Sequence, residues 1–148
     1  MITRRDIVVA GIAAIAVVAL AQTSEKPVMK SSVFRWEDLK AEPTKVGARR
    51  EVFDERTATL DRLECHVTTL KPGEAPHPGH QHPEEELVFI REGTIESVQN
   101  GVTNRVGPGS VIFQASTEWH SLRNVGQTTA TYFVVKWFSP GMLKPKTN

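Results

Sequence analysis

The chemistry of this chain concentrates between Gly73 and Gly93, in the stretch GEAPHPGHQHPEEELVFIREG. Three of the five histidines, His77, His80 and His82, lie in it, followed by the consecutive carboxylates Glu84, Glu85 and Glu86. Side chains two apart on a strand share a face, so His80 and His82 can reach one ion side by side. Pro83 breaks that strand, and Glu86 can enter from the next one. Neutral imidazole suits Zn, Cu, Fe and Ni, and a carboxylate extends the choice to Mn. The pattern predicts one divalent transition metal, Fe, Mn, Zn, Ni or Cu. Glu84 and Glu85 compete with Glu86 for the carboxylate position.

The order His80-x-His82-x3-Glu86-x6-Gly93 resembles the first motif of the cupin family. That motif opens with a glycine where this chain has Glu74, the glycine standing one place earlier at Gly73. A counterpart of the second cupin motif follows, with Gly109, His120 and Asn124 in register. Ala115 replaces its proline and Thr117 its second glycine, changes that concern the turn before His120 rather than the ligand. The resemblance spans roughly residues 58–138. It implies His120 as a further ligand beside His80, His82 and Glu86, in a 3-His-1-Glu site inside an all-β double-stranded β-helix, a jelly roll. Asn124 is expected to secure the chain around His120. Small single-domain cupins include iron dioxygenases, manganese-dependent relatives that process oxalate or ureides, and isomerases. The fold therefore does not select a reaction.

The elements that must carry this site read as short strands between turn residues, the pattern of a sandwich or barrel. Leu63, Cys65, Val67 and Thr69 alternate with Glu64, His66 and Thr68 from Leu60 to Leu70. Strands are predicted at 85–91, 94–98, 102–106, 110–114 and 129–138, with a hairpin turn at Asn100-Gly101. Val33–Trp36 reads as a short strand, and Glu37–Leu39 as one helical turn ended by Pro43. The charges of residues 44–59 are expected to face water, and so is Lys136. Phe89, Phe113, Trp119, Tyr132, Phe133, Trp137 and Phe138 are expected mostly in the core. His77, between two prolines, and His66 are the candidate catalytic acid–base groups. The alternation leaves open whether His66 faces the barrel interior or solvent.

Residues 1–21 have the layout of an export signal: Arg4-Arg5, an apolar run from Ile7 to Leu20, and a small-x-small end at Ala19-Leu20-Ala21. The paired arginines resemble a twin-arginine signal. The run is shorter than the ~20 residues of a spanning helix; an uncleaved anchor formed by residues 7–20 is the alternative. The domain plan is therefore a signal at 1–21, a polar linker at 22–32, a cupin domain at 33–138 and a tail at 139–148, with a periplasmic or otherwise exported location. Without the signal, acidic and basic residues balance, and no basic stripe marks a nucleic-acid partner. The lone Cys65 excludes an intrachain disulfide framework.

Together these features predict an exported metalloenzyme acting on a small polar or carboxylate-bearing substrate. A non-catalytic metal- or ligand-binding module is the alternative. A homodimer is expected, with residues 33–36 at the contact.

Overall fold

The computed structural model describes residues 27–140; residues 1–21, read above as an export signal, part of the stretch read as a linker and most of that read as a tail lie outside them. A 3-10 turn at Trp36–Asp38 is followed by nine strands: β1 Glu42–Thr44, β2 Gly47–Glu55, β3 Arg62–Leu70, β4 Glu85–Glu92, β5 Ile95–Gln99, β6 Val102–Val106, β7 Val111–Gln114, β8 His120–Asn124 and β9 Ala130–Phe138. One sheet runs β1-β2-β3-β9-β4-β7 and the other β6-β5-β8. Every pairing is antiparallel. The result is a double-stranded β-helix. The Asn100-Gly101 hairpin forms as its residue types require, both at positive φ. The stretch Val33–Trp36, read as a strand, is instead irregular chain up to Arg35 with Trp36 opening the 3-10 turn, and Pro43 lies within the edge strand β1, where its missing N–H is tolerated.

Register divides the barrel interior into layers, because residues paired directly across strands point to the same face. Leu70 pairs with Ala130; Thr68 pairs with Tyr132, which pairs with Ile90. His66, Val134, Val88 and Ile112 form the next row, and Glu64, Lys136, Glu86 and Gln114 the last. The interior is thus apolar at one end and ionic at the other. The apolar end is the core: Leu70, Val88, Ile90, Ile95, Ile112, Leu122, Ala130, Tyr132 and Val134 are buried together.

The opposite face of the large sheet is also partly covered. Trp36 meets the Phe133 ring and Phe34 the Phe53 ring, while the Arg91 guanidinium stacks 3.7 Å from the Trp36 ring centre. Cys65 and Val67 on this face are buried. Burial pushes the Cys65 thiol up to about 11, so it packs as a small apolar group. Tyr132 and Phe138 are buried as the sequence suggests, but Phe89, Phe113 and Trp119 are exposed. Phe89 and Phe113 alternate outward from β4 and the edge strand β7, where nothing among the described residues covers them fully.

Asn124 is fully buried and closes the end of β8. Its Nδ2 donates to the carbonyls of Leu70 at 3.1 Å and Thr128 at 2.8 Å, and its Oδ1 accepts from Gly126 N–H at 3.0 Å. The expected securing role is therefore met by three bonds spanning two loops. Asn124→Ala leaves the buried Leu70 carbonyl without its donor, and is expected to lower unfolding free energy by roughly 1–3 kcal/mol. Denaturant titration checks this; a loss within error of zero would mean that the loops hold themselves.

Candidate metal centre

His80 and His120 are joined through their backbones. His80 N–H donates to His120 C=O at 3.0 Å, and His120 N–H donates to His80 C=O at 2.8 Å. This pair is an isolated bridge, not the strand that the His80–His82 spacing suggests. Pro76, Pro78 and Pro83 lack N–H groups, so the segment cannot extend a ladder in either direction. His82 sits just beyond, its carbonyl accepting the Thr117 N–H at 2.8 Å. Gly79 lets Trp119 close over the entry to this segment: a Cβ there would lie 2.0 Å from the indole.

These constraints gather the imidazoles of His80, His82 and His120. Their ring centres are 5.2 Å apart for the first two, and 4.8 Å from each of these to His120. Their donor nitrogens lie within 4.8 Å of one another, a group that could hold a metal ion. The backbone fixes which nitrogen is available. His120 Nδ1 lies 2.9 Å from the Glu118 carbonyl, and His82 Nδ1 lies 3.1 Å from the Glu84 carbonyl. A carbonyl only accepts, so each Nδ1 carries the proton and each Nε2 keeps its lone pair, the usual arrangement of a metal-ligating histidine. His120 Nε2 and His80 Nδ1 are buried without a hydrogen-bond partner. Burial, then the neighbouring imidazoles of His77, His120 and His82, pushes His80 down to about 4, and burial likewise lowers His120. Both are neutral at pH 7, as a metal requires.

Glu86 lines the same cavity, its Oε2 3.7 Å from His82 Nε2. Its carboxyl is pushed up to about 7 by burial, against the lowering effect of Lys136. The other two glutamates differ: Glu85 is bonded elsewhere, while Glu84 Oε2 is buried without a hydrogen-bond partner. Glu84 stands behind His82, its Oε2 3.3 Å from Nδ1, and Glu85 accepts a bond from Trp137 Nε1 at 3.0 Å. His77 is at the mouth, exposed, with Nδ1 bonded to the Pro78 carbonyl at 2.9 Å and its ring edge-on to His80.

The cavity beside the histidines measures about 270 Å³. Arg49, His66, Thr68, Gln114, Tyr132 and Lys136 contribute to its wall. His66, which the sequence leaves undecided, therefore faces inward. Lys136 and Arg49, expected to face water, also turn in. Lys136 is only 22% exposed and pairs with Glu64 at 3.3 Å; Arg49 Nη2 donates to Glu64 at 3.0 Å. A buried carboxylate on β3 thus draws two cations inside, against their usual preference. Gln114 is the cavity residue that motif reading passes over. It is 2% exposed, and both its amide oxygen and nitrogen lack a partner. Its cross-strand pairing with Glu86 is the signal that places it there.

Residues 66–136 match the family described as Cupin domain. Dimethylsulfoniopropionate lyase DddQ of Ruegeria pomeroyi is 38% identical over 64 residues, which are 43% of this chain and 31% of that protein. The match thus spans about a third of that relative's length. Among solved structures, the polyketide cyclase RemF from Streptomyces resistomycificus is 28% identical, with a TM-score of 0.59 over 76% of this chain and 82% of that one. KdgF from Halomonas sp. shares the fold at 16% identity, with a TM-score of 0.61 over 77% of this chain and all of that one (100%). The barrel, the paired histidine segments and the matched family model agree: residues 66–136 carry a small domain of the cupin superfamily.

Proposed function

We propose that this domain holds one divalent transition metal through His80, His82, His120 and Glu86, and acts as an enzyme on a small polar or carboxylate-bearing substrate. The observation that carries this reading is the buried, partnerless Nε2 of His120, aligned with two other imidazoles by backbone bonds that fix its tautomer. A buried polar atom without a partner costs about 1–3 kcal/mol, a cost that coordination removes. When bound, a divalent metal supplies a Lewis acid that polarises a substrate oxygen. The adjoining cavity favours catalysis over a closed binding module, since it leaves room for a small ligand against the histidines. Arg49 and Lys136 on its wall suit a carboxylate. Dimethylsulfoniopropionate, the substrate in the name of one relative, is itself a small carboxylate. The export layout of residues 1–21 supports action outside the cytoplasm, as part of the same proposal.

Metal analysis of protein purified without chelator tests the ligand set. About one equivalent of transition metal per chain is expected, with the His80→Ala/His120→Ala variant retaining almost none. Loading is expected to raise the unfolding temperature of the parent and not of the variant. A parent that takes up no metal after incubation with Fe, Mn and Zn would sink the reading.

A second prediction concerns the metal-free protein. The Glu86 carboxyl titrates near 7 when folded against an ordinary 4.5, so between those values the native state holds more of the proton. Stability from this group is therefore present below about pH 4.5 and lost as pH rises through 7. Glu86→Gln should stabilise the metal-free protein by roughly 1–3 kcal/mol at pH 8 and little at pH 4.5, while weakening metal uptake. Equal gains at both pH values in urea titrations would show that burial of charge is not the cause.

A further inference from the structure

The cavity holds a histidine outside the candidate ligand set, on a different strand and with its own carboxylate. His66 lies on β3, buried, with its ring on the cavity wall. Its Nδ1 is 3.0 Å from Glu64 Oε1. Glu64 is buried among cations: Arg49 at 3.0 Å, Lys136 at 3.3 Å and Arg62 at 3.5 Å. Burial pushes the Glu64 carboxyl up, but Lys136 and the other donors outweigh it and hold it below the ordinary range. An ionised carboxylate only accepts, so His66 Nδ1 carries the proton and Nε2 carries the lone pair. No hydrogen-bond donor among the described residues occupies that Nε2.

We propose that His66 is a proton-transfer residue of this site, taking a proton at Nε2 from a substrate bound against His80, His82 and His120, with Glu64 as the residue that positions it. The proposal rests on the reading of those three histidines as a metal centre. In the forward step a substrate C–H or O–H bond breaks and its electron pair stays on the substrate, facing the three histidines. The proton forms a new bond to Nε2, using the imidazole lone pair. His66 becomes an imidazolium that keeps its Nδ1 proton and donates it in a hydrogen bond to the ionised Glu64, and the reverse step returns the Nε2 proton to product. The groups around the ring suit this exchange. Glu64 on β3 and Glu51 on β2 favour the imidazolium, while Arg49 on β2 and Lys136 on β9 oppose it. Burial is the largest influence; it pushes the ring down to about 4 and keeps it neutral at pH 7, so the imidazolium forms only while the negative charge left on the substrate pairs with it. Glu64 would have no reason to be buried under three cations if His66 were only filling space: an apolar pair would close the same volume without charge.

The test needs no substrate. The Zn-loaded full chain is treated with diethyl pyrocarbonate, which acylates an imidazole nitrogen bearing a free lone pair, and modified histidines are located by peptide mass spectrometry. Zn content is measured on the same sample. His66 is expected to react through the cavity, as exposed His77 does, while His80, His82 and His120 are protected by Zn. Glu64→Ala, which frees the tautomer, is expected to replace the single Nδ1-protonated form of His66 by a mixture of both tautomers in nitrogen-15 NMR. Nitrogen-15 NMR of the parent should show His66 protonated at Nδ1, a readout that does not depend on the variant folding. An unreactive His66, or one protonated at Nε2, would overturn the proposal. If instead His80, His82 and His120 also react and no Zn is retained, the metal reading fails, and the His66 result separates the two. Once a substrate is known, His66→Gln should lower kcat by about 10²–10⁴ with metal content and KM little changed.

Discussion

The bridge between His80 and His120 is the constraint on which the site depends. Two mutual backbone bonds fasten an irregular, proline-broken segment to β8. Without them His80 and His82 would belong to a loop with no register. With them three imidazoles from two distant stretches of chain converge, and each neighbouring turn is held in consequence. Thr117 N–H reaches the His82 carbonyl, and Asn100 N–H reaches the Trp119 carbonyl, so both sides of the bridge are anchored. The site is therefore assembled by main-chain bonds between His80 and His120.

Around that bridge the barrel separates stability from chemistry. Rows of cross-strand neighbours make one end apolar and the other ionic. Across the large sheet, Glu64, Lys136, Glu86 and Gln114 set side by side a carboxylate, an ammonium, a carboxyl raised to about 7 and an amide. A row of that kind is a poor way to gain stability, since desolvation of buried charge offsets much of the attraction. It is a good way to hold polar groups at fixed positions in a dry cavity, where each acts more strongly than in water. The orphaned atoms of His80, His120 and Gln114 lie at this end.

Much of this was legible in the sequence, for identifiable reasons. Ligand-type residues two and four apart, followed by a second segment in register, carry their own spacing. The turns around them need backbone conformations that their residue types disclose: Gly73, Gly93 and Gly109 all sit at positive φ. Gly93 has a packing reason as well, since a Cβ there would meet Ala130 at 2.5 Å. The departure at Thr117 proves informative. It takes φ 63 in place of a glycine, so the turn keeps its shape with a β-branched residue in a region that disfavours one. What spacing could not give was the inward face. Both faces of β3 are buried at Glu64 through Thr68, so alternation alone left His66 undecided. Lys136 and Arg49 were misplaced because the rule that charges face water ignores the buried Glu64 that partners them. Gln114 left no motif signal at all; only the β4–β7 register reveals it.

The central claim is that these imidazoles exist to share one ion. X-ray absorption at the metal edge of the loaded protein tests it most directly. The account predicts backscattering from three imidazole rings, with nitrogens at about 2.0–2.1 Å if the metal is Zn, and further oxygen ligands. A spectrum with one imidazole or none would place the metal elsewhere and contradict the account.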